Sequence, residues 1–176
     1  MEMLFLDVES SGLDGESGIL TAYVIIHNDR QYEGFAESLK QEKKLLKQLA
    51  RTLDSVGNDA ALFTWRGEVF DVPFLVTRGL FHGVDMSRLV SFRHIDLARF
   101  AERNLRLSRI SQTRLCGFLG IGKDVELTGS QMPIRYIKYV SGSKSEREKI
   151  LQHCVDDVRT LKLIYEKLKP YLLTTV

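Results

Sequence analysis

Two acidic residues, Asp7 and Glu9, close an apolar segment near the start of the 176-residue chain. Alternate residues of a β-strand point to the same side of a sheet, so this spacing predicts two carboxylates on one face. Neighbouring carboxylates repel each other unless a cation or a proton lies between them. A hard divalent ion with oxygen ligands satisfies such a pair, and we therefore expect a metal site at this strand end.

Three further residues are candidates for the same chemistry. Asp71 precedes a Val-Pro pair where the pattern predicts the start of a helix, so its carboxylate could cap that helix, face a metal, or do both. His153 is the only one of the four histidines with an aspartate, Asp157, four residues further on, and a helix would place the two on one face. With an ordinary pKa of about 6.5, a histidine can accept a proton or position a water molecule.

Asp156 and Asp157 are adjacent, and helical geometry distinguishes their surroundings. Residues three, four or seven positions from Asp157 include Cys154, Leu161 and Ile164. The corresponding neighbours of Asp156 are mostly polar. We therefore expect Asp157 to face the sheet and the metal site, and Asp156 to face water.

The elements that must hold these residues follow from hydrophobic spacing. Five strands are predicted, over residues 3–9, 19–27, 31–36, 60–65 and 92–97. A helix with a capping box at Ser38 and Gln41 should end near residue 57, and another should run from Asp71 to about Gly79. Three more are predicted over 112–119, 134–140 and about 145–168. This order indicates an α/β fold with a mixed five-stranded sheet and helices on both faces.

Composition adds mainly exclusions. The chain is 44% hydrophobic and 27% charged, which fits one globular domain over residues 1–176. Its net charge of +2 neither indicates nor excludes a nucleic-acid ligand. Two cysteines are too few for a disulfide scaffold, and no apolar run reaches the roughly 20 residues of a membrane span, so we expect a cytoplasmic protein without membrane contact. Glycine-rich phosphate loops and nucleophile elbows are missing from the sequence, which removes several enzyme classes.

Three segments, in order, resemble the motifs of the DEDD 3′→5′ exonucleases, which have a ribonuclease-H-like fold. They are FLDVESSGL at 5–13, TWRGEVFDVPFL at 64–75 and HCVDDV at 153–158. The segments RHIDL at 93–97 and LGI at 119–121 are similar to the compact predicted exonucleases of bacteria and archaea. The resemblance extends from residue 3 to residue 168. It departs from the family at Arg66, where asparagine is usual, and at His153, where three residues separate the histidine from Asp157 and histidine members have four.

The resemblance implies a 3′→5′ exonuclease that hydrolyses single-stranded DNA to mononucleotides. It implies two divalent ions, Mg²⁺ or Mn²⁺, held by Asp7, Glu9, Asp71 and Asp157, with His153 acting on the attacking water.

The partner implied is the 3′ end of a single strand, with DNA favoured over RNA. Ser10, Ser11 and Gly12 are expected to offer free backbone N–H groups to the terminal nucleotide, and Leu13 and Phe70 to pack on bases. Arg66 is a further substrate-contact candidate. Outside this group, the basic residues Arg135, Lys138 and Lys144 are expected either to meet phosphates or to form a solvated basic face.

Other functions remain open at this point. The same chemistry could act on RNA or on short oligonucleotides, because nothing in the sequence reads a 2′-hydroxyl. A non-catalytic nucleic-acid binder on a decayed nuclease fold is a third possibility. The four acids count against decay, because a binder has no reason to keep their mutual repulsion.

Overall fold

Five strands form one mixed sheet in the computed structural model, which describes residues 2–125 and 127–172. The strand order is β3-β2-β1-β4-β5; β1, β2 and β3 are antiparallel neighbours, whereas β4 is parallel to both β1 and β5. All five predicted strands are present, with ends that differ from the predictions by at most one residue. They are β1 Met3–Ser10, β2 Leu20–His27, β3 Arg30–Phe35, β4 Ala61–Thr64 and β5 Arg93–Asp96.

The described residues contain seven α-helices, which cover both faces of the sheet. One face packs against the helices that follow β3 and β4 and against the helix before the last one; the other packs against the two helices that follow β5 and against most of the last helix. None of the described helices has the length and apolar content needed to cross a membrane. The helices are α1 Glu42–Asp54, α2 Asp71–His82, α3 Ser87–Ser91, α4 Leu97–Asn104, α5 Gln112–Leu119, α6 Met132–Val140 and α7 Ser145–Leu172.

The alternation of side chains along β1 decides which layer meets the acidic residues. Leu4, Leu6 and Val8 belong to the core beneath α1 and α2. Phe5 points to the opposite face, where its ring lies 5.0 Å from that of Phe63. Asp7 and Glu9 follow Phe5 at two-residue intervals, so they share its face and meet α7.

The sheet opens where β1 passes beyond β4. The two strands pair only between Met3–Phe5 and Ala61–Phe63, although β1 continues to Ser10 alongside β2. The second half of β1 therefore has a free edge, and the first turn of α2 fills part of the space beside it.

The predicted end of α2 at Gly79 is wrong. The helix continues to His82 and ends at Gly83, which has the left-handed φ of 63° that favours glycine after a helix. Gly79 has a packing role instead, because a Cβ there would lie 2.7 Å from Met86 Cγ.

The predicted capping box at Ser38 and Gln41 is also wrong. The Ser38 side chain makes no capping hydrogen bond, and Gln41 Oε1 accepts from the Glu37 N–H at 3.2 Å. Two short helices, α3 and α4, escaped prediction. The second begins directly after β5 because Asp96 caps it, accepting from the N–H groups of Ala98 and Arg99.

Candidate active site

A cleft of about 570 Å³ lies beside the free edge of β1, bordered by α7 and the turn before α2. The five predicted catalytic residues all line it, although they come from three distant parts of the sequence. They are Asp7, Glu9, Asp71, His153 and Asp157. Of the predicted substrate contacts, Ser10, Gly12, Leu13, Arg66 and Phe70 line the same cleft.

Asp7 and Glu9 form the centre of the acidic group. Ligand atoms of these two carboxylates and of Cys154 lie within 4.8 Å of one another. Burial, together with the negative charges of Asp157, Glu9 and Asp71, raises the pKa of Asp7 well above its usual range. Burial also raises the pKa of Glu9, although His153 opposes the rise. Carboxylates under such repulsion are stabilised by a bound cation.

Cys154 is suited to packing rather than to metal binding. Its thiol donates to the backbone oxygen of Asp7 at 3.4 Å. Burial raises its pKa well above the ordinary value, which disfavours the thiolate that a metal ligand requires. The donors facing the cleft are therefore carboxylate oxygens, which suit Mg²⁺ or Mn²⁺ better than zinc.

Asp71 is the first residue of α2, not its N-cap, so the capping role considered for it is wrong. Its Oδ1 accepts from the Val8 N–H at 3.2 Å, across the free edge of β1. Burial raises the pKa of Asp71 to about 7, and the charge of Glu9 adds to the rise while hydrogen bonds oppose it. The carboxylate is thus fastened to the strand that carries the other two acids.

His153 lies buried between acidic side chains. Its Nδ1 is 3.1 Å from Glu9 Oε1 and 3.3 Å from Asp157 Oδ2, without the direction of a hydrogen bond. Burial tends to lower the pKa of the ring, but the two carboxylates outweigh it and the pKa is raised. Its Nε2 makes no hydrogen bond with any described residue.

Asp156 and Asp157 occupy different environments, but the expectation that Asp156 faces water is wrong. Asp156 is only 3% exposed; Arg159 Nη2 lies 2.7 Å from its Oδ1, and two backbone N–H groups of the preceding loop donate to it at 3.3 Å. Asp157, whose side chain is 16% exposed, lines the cleft. Asp156 therefore fastens a loop, whereas Asp157 is available to the site.

Lys123 is the charged neighbour that sequence reasoning missed. Its ammonium group contacts Asp157 Oδ1 and lies 4.0 Å from Asp156 Oδ2, and its side chain is 12% exposed. It belongs to the loop between α5 and α6, which has no periodic pattern to predict its position. The ammonium group of Lys123 therefore offsets the negative charge of Asp157.

The predicted substrate-binding residues around the loop after β1 do not all line the cleft. Ser11 is not among the residues that line the cleft, and its N–H donates to Ile19 O while its Oγ accepts from Ile19 N–H, both at 3.0 Å. The expectation that its N–H is free is therefore wrong. Leu13 is 82% exposed at the cleft margin, and Phe70 is half-buried with its ring 5.4 Å from that of Phe74.

The turn before α2 is held in an unusual shape. Arg66 has a φ of 62°, in the left-handed region that asparagine and glycine tolerate better than arginine. Asp96 accepts from the N–H groups of Arg66 and Glu68 at 3.0 and 3.1 Å, and the Arg66 side chain lies 2.5 Å from Glu102. Asp96 is a positioning residue that the sequence pattern did not single out.

A buried ion pair fixes the part of the loop between β1 and β2 that lies nearer to β2. Arg78 donates to both oxygens of Glu42, at 2.8 and 2.5 Å, and to Gly15 O at 2.8 Å. Glu42 in turn accepts from the Leu20 N–H at 2.7 Å. The pair therefore joins the loop at residues 15 and 20 to α1 and α2.

The basic residues expected near phosphates lie elsewhere. Arg135 pairs with Glu146 at 2.6 Å, and the ammonium of Lys144 lies 4.6 Å from the Tyr139 ring centre. Lys138 is exposed on α6. None of the three lines the cleft.

Comparisons with known proteins agree with this architecture. The family model RNase_H_2, of the RNase H superfamily, matches residues 4–169. A similar solved structure is that of the family B DNA polymerase from the hyperthermophilic archaeon Pyrobaculum calidifontis, with a TM-score of 0.83 and 17% sequence identity. That likeness covers 98% of this chain but 25% of the polymerase chain, so it supports the fold alone. No curated protein matches.

Proposed function

Since the chain belongs to the ribonuclease H superfamily, we propose that it is a metal-dependent 3′→5′ exonuclease acting on single-stranded DNA. One observation carries the proposal: four carboxylates from β1, α2 and α7, together with a buried histidine, line a single cleft. Grouped acids of this kind fit phosphodiester hydrolysis assisted by divalent ions. The fold alone carries no such conclusion, because one fold supports many activities.

Asp7, Glu9, Asp71 and Asp157 are the residues that would hold two Mg²⁺ or Mn²⁺ ions. They offer only oxygen donors, and the pKa values of three of them are raised by burial and mutual repulsion, which a cation relieves. Bound there, the ions would supply an activated water and neutralise the leaving 3′ oxygen.

His153 is assigned to the proton of the attacking water. Its Nδ1 lies 3.1 Å from Glu9 and 3.3 Å from Asp157, and its buried Nε2 bonds no described residue, so Nε2 is the ring nitrogen assigned to the water. The carboxylates also favour the protonated ring once it has accepted a proton.

Leu13 and Phe70 are assigned to the terminal bases. Both line the cleft beside Trp65, and an apolar surface of this kind contacts any base without reading its sequence. Stacking on the faces of separated bases requires an unpaired end, which favours a single strand over a duplex.

A labelled-substrate digestion tests this function. We expect 5′-labelled single-stranded DNA to give a descending ladder with Mg²⁺ or Mn²⁺ and no products with EDTA, while duplex is slower because fraying the end costs a few kcal/mol. RNA of the same sequence decides the nucleic-acid preference, and dinucleotides test an oligonucleotidase.

The matched variants are Asp7→Ala, which should be inactive, and Asp54→Ala, an exposed acid at the end of α1, which should be fully active. Cleavage of a circular single strand would rule out an exonuclease. Undiminished activity of Asp7→Ala, or of the wild type in EDTA, would rule out the metal-dependent mechanism. Tight DNA binding without any cleavage would favour the non-catalytic binder.

A further inference from the structure

We propose that a groove beside the edge strand β5 binds the sugar–phosphate backbone of the DNA strand whose 3′ end occupies the cleft. This inference rests on the proposed function. The groove encloses about 520 Å³, and its walls include three arginines, an aromatic ring and an amide: Arg93, Arg99, Arg103, Phe100 and Asn104. We call it the arginine groove.

The charge around the arginine groove is concentrated beyond what the composition suggests. Residues 93–114 contain six arginines and two acids, a net charge of +4, whereas the whole chain carries +2. All six arginines are exposed. The rest of the molecule is therefore slightly acidic, and this segment is the basic side that attracts a polyanion.

The acids facing the arginine groove leave most of this charge uncompensated. Glu68 pairs with Arg99. Asp96 is buried, and its carboxylate is occupied by N–H groups of the turn before α2 and of α4. In residues 2–125 and 127–172, Arg93 and Arg103 have no ion pair within 4.0 Å. Two free guanidinium groups in one groove repel each other and favour a bound anion.

Protection of an edge strand is a simpler reason for one exposed charge, but not for this cluster. A lysine or arginine on an edge discourages pairing with other chains, and Arg93 at the start of β5 fits that role. Arg99 and Arg103 lie on α4, one turn apart, and do not shield the strand edge in this way. Their alignment beside Arg93 needs a different explanation.

The arginine groove and the cleft lie on either side of the turn before α2. Trp65 and Arg66 line the cleft, and Glu68, two residues on, lines the groove. Asp96 holds the N–H groups of Arg66 and Glu68, so the turn that separates the two hollows is fixed in place. A strand that leaves the cleft across this turn reaches the arginines, which favours nucleic acid over an acidic protein as the ligand.

Phe100 adds an aromatic wall that suits a nucleic acid. It is half-buried, so part of its ring faces the groove, where a base can stack without sequence preference.

Length-dependent binding tests the arginine groove. Fluorescein-labelled oligo(dT) of 2 to 16 nucleotides is titrated in EDTA and followed by anisotropy, with oligo(U) of the same lengths to compare the RNA backbone. We expect the wild type to gain at least about 10-fold in affinity between 4 and 12 nucleotides, and Arg93→Glu/Arg103→Glu to lose most of that gain. For this variant, the slope of the logarithm of affinity against the logarithm of salt concentration should fall in magnitude by about 1.4. Each of the two lost phosphate contacts on a single strand contributes roughly 0.7.

The matched control is Lys43→Glu/Lys47→Glu, which makes the same charge change on exposed positions of α1. It should bind every length as the wild type does. If charge reversal prevents folding, judged by circular dichroism, Arg93→Gln/Arg103→Gln replaces it.

Equal affinity of the variant and the wild type at every length overturns the arginine groove, as does an equal loss in the α1 control. Hydrolysis of the p-nitrophenyl ester of thymidine 5′-monophosphate by the wild type is measured separately. This small substrate cannot reach the groove, so failure to cleave it counts against the proposed function and not against the groove.

Discussion

Replacing Asp156 and Asp157 one at a time by asparagine should separate stability from catalysis. Asp156→Asn removes the charged partner of Arg159 and leaves an amide beside two N–H donors at 3.3 Å. A hydrogen bond to a charged group contributes about 1.5–3 kcal/mol, and Arg159 is partly exposed, so we expect a loss of about 2 kcal/mol. For a domain of this size that lowers the melting temperature by roughly 4–8 °C.

Asp157→Asn should behave in the opposite way. It loses the contact with Lys123 but relieves repulsion of Asp7, so we expect the stability in EDTA to change by less than about 1 kcal/mol. As a proposed metal ligand, it should lose at least about 100-fold in the rate of DNA hydrolysis, while Asp156→Asn keeps most of its rate.

Thermal unfolding in EDTA and single-strand hydrolysis in Mn²⁺ measure the two effects on the same preparations. Equal rate losses would mean that both acids serve the site. A rate loss confined to Asp156→Asn, with an unchanged melting temperature, would refute the assignment of the cleft to Asp157.

Three further predictions concern stability. In the metal-free protein, the pKa of Asp71 is raised to about 7 from roughly 3.9 in the unfolded chain, so the folded state binds the extra proton between these values. Stability should therefore fall as pH rises from about 4 to 7, and Asp71→Asn should flatten the dependence of the melting temperature on pH. Parallel plots of melting temperature against pH for the variant and the wild type would contradict this. Arg66→Asn should leave the melting temperature unchanged or raise it by up to about 3 °C, because asparagine tolerates the positive φ. Arg66→Val should lower the melting temperature. Equal effects of the two substitutions would show that the backbone at this position carries no strain. Glu42→Gln leaves Arg78 buried without its charged partner, which costs about 3–5 kcal/mol, so calorimetry should show a fall of at least about 6 °C; a smaller fall would mean that the buried pair adds little.

The parts of the fold that could be predicted are those with a regular hydrophobic period. Alternation along β1 placed Asp7 and Glu9 on one face, and the long apolar stripe of α7 gave that helix within a few residues of its end. The mixed α/β fold that these elements indicated is confirmed, as is the ribonuclease-H-like fold that the family resemblance implied.

The rest depends on contacts that a local period does not contain. Helical spacing identifies the neighbours of Asp156 within α7, but it does not show that the loop before α6 covers this residue. Asp156 was therefore expected to face water. Lys123 lies in that loop, and its approach to Asp157 is set by how α5 and α7 pack. The eight residues of α4 were too few and too highly charged to stand out beside β5.

The bond between the Val8 N–H and Asp71 Oδ1 makes one backbone amide a spectroscopic reporter of the site. Because β1 has left β4 at this point, the bond that protects Val8 on that edge comes from a side chain whose charge can change, rather than from a neighbouring strand. Its proton resonance and its exchange with deuterium should therefore follow the ionisation of Asp71, while the paired amides of Leu4 and Phe5 stay constant. A nuclear magnetic resonance titration of ¹⁵N-labelled protein would thus observe the carboxylate from within the sheet, without any substrate.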